Sequence, residues 1–123
     1  MTSIFFRLDA DNIIGFGHLY RCIELAKRSI EKGLNPVFIL KFQTKSVLKI
    51  INSNEIKYEL LDSKDEISSL KEINSLIFLK KKYNSQFIFL DIEHKRYKDS
   101  PTFYKNYLTK IDGYFYTIMI GDF

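Results

Sequence analysis

Short apolar runs alternate with helix-spaced apolar residues along this chain. Residues 36–40 form an apolar run, and so do residues 4–8 apart from Arg7, which is typical of buried strands. Between them, apolar side chains recur every three or four positions from Leu19 to Ile30, as on one face of a helix. Gly33 is placed to end that helix. The first third of the chain therefore predicts a strand, a helix and a second strand.

The middle of the chain continues this alternation. A short helix is predicted around residues 47–51, and alternating apolar positions over residues 56–60 predict a third strand. Ser63 and Glu66 have the spacing of a capping box, in which each side chain bonds a backbone amide at a helix start. They predict a helix through residues 67–80.

The last third adds two more strands with a helix between them. Residues 87–90 are an apolar run, and residues 114–120 predict the fifth strand. Ser100 followed by Pro101 is typical of a helix start, and that helix should continue to Ile111. No repeat or low-complexity segment interrupts the series.

Strands that alternate with helices predict a parallel sheet, because right-handed crossovers return each strand in the same direction. The nearly continuous apolar strands indicate that both faces of the sheet are covered. We therefore expect a doubly wound α/β fold, with five parallel strands in the order 3-2-1-4-5. With 123 residues, of which 46% are hydrophobic, residues 1–123 should form a single domain.

Composition narrows the class of function. The net charge of +4 comes from lysines that alternate with acidic residues, so no nucleic-acid surface is indicated. Cys22 is the single cysteine, and no Cys or His pair has zinc-ligand spacing, so neither a metal nor another cofactor is expected. The apolar start is interrupted at Arg7, too early for a signal peptide or a membrane span. A cytoplasmic location fits these observations.

Polar residues gather where the predicted strands end. In an open parallel sheet, ligands bind beyond the carboxyl ends of the strands, between the loops that follow strands one and four. Both histidines of the chain fall in these loops. The candidate site residues chosen by this placement are Asp9, Gly15, Gly17 and His18 after the first strand, Asp91, Glu93 and His94 after the fourth, and Asp122 after the fifth.

The segment from Gly15 to His18 is the most distinctive of these. Glycines permit a tight turn and let a ligand approach the amides that open the next helix, which favours an anion. Tyr20 stands where the dinucleotide fingerprint needs its third glycine, so that motif is excluded. A plain strand-to-helix turn explains the two glycines equally well.

His18 lies in the first turn of the predicted helix. The positive end of the helix dipole disfavours imidazolium there, which suits a general base. Its alternative role is to cap the helix. Arg21, one turn later, could hold a phosphate or carboxylate, or could be a solvated helix charge.

Residues 6–26 resemble the opening of the UDP-sugar hydrolases of pseudaminic acid biosynthesis. The family pattern is F-R-x-D, a short spacer, I-G-x-G-H-x-x-R and then L-A. Every fixed position is met, by Phe6, Arg7, Asp9, Ile14, Gly15, Gly17, His18, Arg21, Leu25 and Ala26.

The resemblance implies the amino-terminal, Rossmann-like half of a glycosyltransferase B type fold. It implies that His18 helps water attack the anomeric carbon and release UDP from a nucleotide-activated 2,4-diacetamido-2,4,6-trideoxy sugar, in the synthesis of a bacterial surface glycan. Arg7, Asp9 and Arg21 match residues around the substrate. A carboxyl-terminal nucleotide-binding domain, absent from these residues, or a separate chain would hold the UDP.

Two alternatives stay open. A glycosyltransferase of the same fold would use the loop histidine to deprotonate an acceptor hydroxyl instead of water. A non-catalytic half-enzyme would keep the fold as a binding module. After the fourth strand the family usually has Asp-His-Tyr, whereas here Asp91 is followed by Ile92, Glu93 and His94. Its usual I-D-D after the fifth strand is Ile-Gly-Asp here, ending at Asp122.

Overall fold

A computed structural model describes residues 2–65, 69–92 and 103–119. Strands and helices alternate strictly along these residues, as the sequence predicts. The strands are β1 (Ser3–Leu8), β2 (Asn35–Leu40), β3 (Lys57–Leu60), β4 (Ser85–Asp91) and β5 (Tyr116–Met119). The helices are α1 (Gly17–Glu31), α2 (Lys45–Ser53), α3 (Leu70–Tyr83) and α4 (Phe103–Ile111).

All five strands pair in parallel, in the order β3-β2-β1-β4-β5. This confirms the predicted doubly wound α/β class and the predicted strand order. β1 is central, with Arg7 opposite Ile39 of β2 on one side and Leu90 of β4 on the other. The strand order reverses between β1 and β4, so the loops after these two strands flank the switch point of the sheet.

Two apolar layers hold the helices against the sheet. On one face, α1 and α2 pack on β1 and β2, with Leu19 and Ile51 against Phe6 and Phe38. On the other face, α3 and α4 pack on the same sheet through residues that include Leu76 and Tyr107. Successive residues of β1 therefore point into different layers, as the period of a strand requires.

The predicted start of α3 is wrong. Ser63 and Glu66 were expected to open a helix, but residues 63–65 form a turn in which Asp62 Oδ1 accepts from the Lys64 amide at 2.9 Å. The helix begins after Ser69, whose side chain accepts from the amide of Glu72. Both pairs have the S-x-x-E spacing. In the second pair, Glu72 is also buried, and it forms an ion pair with Lys41.

Two further features of α3 and β5 complete the comparison with the sequence prediction. Leu70, the first residue of α3, is 73% exposed, and the helix buries Ile73, Leu76 and Leu79. β5 begins at Tyr116, not at residue 114, because the amides at 114 and 115 bond the Ile111 carbonyl in a turn. The predicted cap at residues 100–101 and the end of β5 at residue 120 lie outside the described residues.

Candidate functional site

The loop that carries His18 is shaped by Asp11. The Asp11 carboxylate accepts hydrogen bonds from the amides of Ile13 and Ile14, at 2.9 and 2.8 Å, and its carbonyl accepts from Gly15 at 2.8 Å. Gly15 has a φ of +86°, a left-handed conformation that other residues adopt only with strain. This tight turn brings the chain back to start α1 at Gly17 and places His18 in its first turn.

His18 contacts the acid at the end of β4. Its Nδ1 lies 2.6 Å from Asp91 Oδ1, across the switch point of the sheet. The Asp91 side chain is almost fully buried, whereas 18% of the His18 side chain is exposed. The sequence placed both residues at this edge, and the structure brings them into direct contact.

Arg21 binds the same carboxylate with two nitrogens. Its Nε donates to Asp91 Oδ2 at 3.1 Å and its Nη2 donates to Oδ1 at 2.7 Å, the bidentate geometry that suits guanidinium and carboxylate. Arg21 lies one turn after His18 on α1, so both side chains leave the helix on the same flank. Asp91 therefore ties α1 to the end of β4.

The proton on His18 can be assigned from these contacts. Nδ1 lies 2.6 Å from an Asp91 oxygen and 3.3 Å from Arg21 Nη2. A carboxylate and a guanidinium require opposite roles from Nδ1, because one accepts hydrogens and the other donates them. The shorter contact, to the carboxylate, requires Nδ1 to carry a proton. In a neutral ring the lone pair is then on Nε2.

The charge of Asp91 is stabilised by its partners. Burial by itself raises the pKa of Asp91, but the hydrogen bonds from His18 and Arg21 outweigh it and hold the pKa below its ordinary value of 3.8. Asp91 is therefore a carboxylate at neutral pH. Cys22 also contacts it, with Sγ 3.6 Å from Oδ2. Burial, and then the Asp91 charge, raise the pKa of Cys22, so that it stays a thiol.

Arg7 and Asp9 belong to a second cluster. Arg7 Nη1 donates to Asp9 Oδ1 at 2.9 Å, and its Nε donates to the Tyr107 hydroxyl at 3.1 Å. Both charged side chains are fully buried. Arg7 points toward α3 and α4, on the opposite face of the sheet from the layer that contains α1. The structure thus does not bring Arg7 and Asp9 into contact with His18.

The second cluster includes two residues that sequence reasoning missed. Lys41 Nζ lies 2.5 Å from Glu72 Oε1, and Glu72 is 3.4 Å from Arg7 Nη2. Among the described residues, this cluster combines two cations, Arg7 and Lys41, with two carboxylates, Asp9 and Glu72. Their positions in the sequence could have indicated buried ion pairs. Arg7 lies within an apolar strand and Lys41 directly follows one, and a charge is buried there only with a partner.

Asp9 connects this cluster to the loops around the site. Its Oδ1 accepts from the amides of Lys41 and Phe42, at 2.7 and 3.0 Å, and the next amide, that of Ala10, bonds the Phe42 carbonyl. These bonds fix the first residues of the His18 loop to the loop after β2. Asp9 therefore fixes the position at which the His18 loop leaves β1.

Gly15 needs to be glycine for its backbone conformation, whereas Gly17 does not have a positive φ. Among the described residues, no heavy atom lies within 4 Å of a Cβ built at position 17, and Gly17 lies in the helix. Packing therefore does not explain a glycine there. The N-cap residue, Phe16, makes no side-chain cap bond in the described part of the chain, and the first turn of α1 has no acidic residue. The amides that open α1 therefore give positive potential beside His18.

Three of the candidate residues, Glu93, His94 and Asp122, lie outside the described residues. Within the described ranges, no group of three or more His, Cys, Asp or Glu side chains has the arrangement of a metal site. None of the helices in the same ranges is long and apolar enough to cross a membrane.

Comparisons with protein-family models, with curated proteins and with solved structures find no match to this chain. The resemblance over residues 6–26 thus stays a prediction from the motif.

Proposed function

We propose that this chain is the sugar-side part of a UDP-sugar hydrolase, in which His18 is the general base for water attack. The observation that carries the proposal is the 2.6 Å contact between His18 Nδ1 and Asp91 Oδ1, since an ionised carboxylate there orients the ring and stabilises the imidazolium that forms. The match of residues 6–26 to the hydrolase motif supplies the substrate class: a UDP-activated 2,4-diacetamido-2,4,6-trideoxy sugar.

The proposed reaction balances with the groups on the chain. Nε2 of His18 takes a proton from water, the water oxygen bonds the anomeric carbon, and the bond from that carbon to the UDP oxygen breaks. UDP leaves with the electron pair. The proton stays on His18, where Asp91 stabilises the positive charge until solvent removes it.

Arg21 and Asp91 are positioning residues in this scheme. Arg21 binds Asp91 bidentately, which fixes the carboxylate and keeps it ionised beside His18. Gly17, which no described heavy atom approaches within 4 Å of its Cβ position, and the amides that open α1 would offer space and positive potential to an oxygen-rich substrate. Arg7 and Asp9, being buried, would act through the loops that they hold, and not by touching the sugar.

The nucleotide would be held by another domain or chain. The first domain of this architecture supplies the sugar side, according to the resemblance, so UDP contacts are not assigned to the described residues. We expect the chain alone to release little UDP and to bind UDP weakly in calorimetry.

The test is UDP release from UDP-2,4-diacetamido-2,4,6-trideoxy-β-L-altropyranose in ¹⁸O-labelled water. The assay uses this chain with and without the carboxyl-terminal domain of a UDP-sugar hydrolase, and His18→Asn is the matched variant. Hydrolysis predicts UDP release without an acceptor, label on the sugar, and loss of both in the variant. Release that requires an added acceptor hydroxyl would indicate a transferase, and no release in any mixture would favour a binding module.

A second measurement needs no substrate. Nitrogen-15 NMR of the chain should show His18 in the tautomer protonated at Nδ1. Asp91→Asn should weaken that preference, because a carboxylate can only accept a hydrogen from Nδ1, whereas an asparagine amide can either accept or donate one. A ring protonated mainly at Nε2 in the wild-type chain would contradict the proposed base.

A further inference from the structure

Four contacts close a ring between the charged residues of the second cluster. Arg7 donates to Asp9 through Nη1 at 2.9 Å and to Glu72 through Nη2 at 3.4 Å. Glu72 Oε1 also lies 2.5 Å from Lys41 Nζ, and the backbone amide of Lys41 donates to Asp9 Oδ1 at 2.7 Å. The side chains of all four residues are buried. We call Arg7, Asp9, Lys41 and Glu72 the buried ring.

The buried ring joins several parts of the fold at the carboxyl edge of the sheet. Arg7 belongs to β1, and Asp9 lies where the His18 loop begins. Lys41 directly follows β2, and Glu72 lies in the first turn of α3. The Nζ of Lys41 also donates to the carbonyl of Asp65, after β3, at 2.6 Å. Through the ring, the start of the His18 loop is therefore connected to the loops after β2 and β3 and to α3.

Three donors converge on one oxygen of Asp9. They are Arg7 Nη1 and the backbone amides of Lys41 and Phe42, and their distances from Oδ1 lie between 2.7 and 3.0 Å. A carboxylate oxygen has about two lone pairs, so these donors compete for it. Glu72 binds the other end of the Arg7 guanidinium and the Lys41 ammonium. It therefore limits how far these two cations can draw the Asp9 carboxylate away from the two amides.

A short hydrogen-bonded loop connects Asp9 to His18. The amide of Ala10 donates to the Phe42 carbonyl at 3.1 Å, and Asp11 then accepts from the amides of residues 13–15. Helix α1 begins directly after this turn, at Gly17. Because these bonds leave few free torsions between the two residues, a displacement of Asp9 would move the first turn of α1 and change the contact of His18 with the end of β4.

We propose that Lys41 and Glu72 are positioning residues for His18. The pair adds one charge of each sign to the buried ring, so that Asp9 keeps its bonds to the two amides and the loop holds His18 against Asp91. Both residues act through Asp9, since α3 packs on the opposite face of the sheet from α1. Both lie outside the motif of residues 6–26. The consequence for UDP release rests on the proposed function, whereas the geometry of the loop does not.

Nitrogen-15 NMR of the full chain tests the proposal without a substrate. Glu72→Gln keeps the size of the side chain and removes its charge, so both cations of the ring should turn toward Asp9. We expect the amide signals of residues 13–15 to move. We also expect the preference of His18 for the tautomer protonated at Nδ1 to fall at least about twofold, the lower end of what coupling within one network produces.

A second single variant and a double variant test the role of charge balance. Lys41→Met leaves an excess of negative charge in the ring and should also move the loop signals. Lys41→Met combined with Glu72→Gln removes one charge of each sign. The double variant should therefore move the loop signals less than either single variant, and the tautomer preference of His18 should return to within about twofold of wild type.

Leu79→Ala is the control for a loss of stability alone. Leu79 is buried on α3 about two turns after Glu72, in the same layer, and its side chain has no charge. Its truncation should lower the free energy of unfolding in urea, because it opens a cavity. It should leave the signals of residues 13–15 and the tautomer of His18 unchanged. Circular dichroism checks that every variant is folded, and if one single variant is unfolded, the other single variant and the double variant decide.

Activity gives a separate readout. With a nucleotide-binding domain present, Glu72→Gln should lower kcat for UDP release about ten- to hundredfold and leave KM within about threefold, because a displaced base affects the chemical step more than binding. The double variant should recover most of the loss. Leu79→Ala should keep the wild-type kcat.

Three results would overturn the positioning role: unchanged loop and His18 signals in the single variants, a double variant whose effect is the sum of the two single effects, or equal signal changes in Leu79→Ala. The failure of the proposed function has a different signature. If the signals move as expected but the wild-type chain releases no UDP in any mixture, the positioning of His18 is supported and the hydrolase proposal is wrong.

Discussion

The Nε of Arg7 donates to the hydroxyl of Tyr107 at 3.1 Å, inside the layer between the sheet and α4. This bond joins the central strand to the last described helix, one hundred residues further along the chain. Burial raises the pKa of Tyr107, so the phenol stays neutral and can accept the hydrogen. The buried Arg7 thus bonds α4 through Tyr107, and it also bonds Asp9, which lies where the His18 loop begins.

Tyr107→Phe should destabilise the chain by about 1–3 kcal/mol, because it removes the acceptor of a buried charged donor without leaving a large cavity. The free energy of unfolding in urea measures this. Tyr114→Phe is the control, since Tyr114 is 47% exposed and its change should stay within about 0.5 kcal/mol. Equal effects of the two variants would contradict a specific role for the Arg7 contact.

The two glycines of the His18 loop should respond differently to alanine. Gly15→Ala should cost about 1–2 kcal/mol in unfolding free energy, because Gly15 has a φ of +86°. Gly17→Ala should leave the free energy of unfolding unchanged or slightly raised, since no heavy atom of the described residues lies within 4 Å of that Cβ and alanine favours the helix. If the proposed function holds, Gly17→Ala still lowers UDP release. A large loss of stability in Gly17→Ala would show that the fold itself requires this glycine.

The fold could be predicted almost completely from the hydrophobic pattern. Strands buried on both faces are continuous apolar runs, and α1 ends where Gly33 adopts a positive φ of +81°. The start of α3 was missed for a physical reason. Two S-x-x-E pairs compete for the same helix, and local spacing does not reveal that Glu72 pairs with Lys41 in the folded layer.

The sequence predicts where the site lies in the sheet, but not which side chains contact each other there. The rule for parallel sheets brings the ends of β1 and β4 together, and so it placed His18 near Asp91. The rule does not predict on which face of the sheet each side chain lies. Arg7 is one strand position away from Leu8, and this alternation turns its side chain toward α3 and α4, away from α1. The contact of Cys22 with Asp91 had no sequence signal of its own.

Asp91 should contribute to stability in a pH-dependent way. The pKa of Asp91 is below 3.8 in the folded chain, so its stabilising effect is present above 3.8 and is lost as pH falls through the lower, folded value. Asp91→Asn should therefore be less stable than wild type by about 1–3 kcal/mol at pH 7, and the difference should shrink below pH 3.8.

Urea unfolding of both proteins between pH 7 and pH 3 measures this difference. Glu24→Gln is the control, because the Glu24 side chain is 70% exposed and lies 3.9 Å from its lysine partner. Its effect should be near zero across the range. A difference between Asp91→Asn and wild type that stays constant with pH would mean that Asp91 stabilises the chain by shape and not by charge.

If the proposed function holds, His18→Asn should nearly abolish UDP release by this chain together with its nucleotide-binding domain, while leaving stability and UDP affinity nearly unchanged. General-base catalysis contributes on the order of a hundred- to ten-thousand-fold in rate, so kcat should fall by that range. Asparagine can still donate to Asp91, but it cannot take a proton from water. UDP should bind the other domain or chain, so calorimetry should give the same UDP affinity. His18→Ala should be equally inactive. If His18→Asn retains near-normal kcat and only His18→Ala loses activity, then the ring is a hydrogen-bonded support of the loop, and the base lies elsewhere.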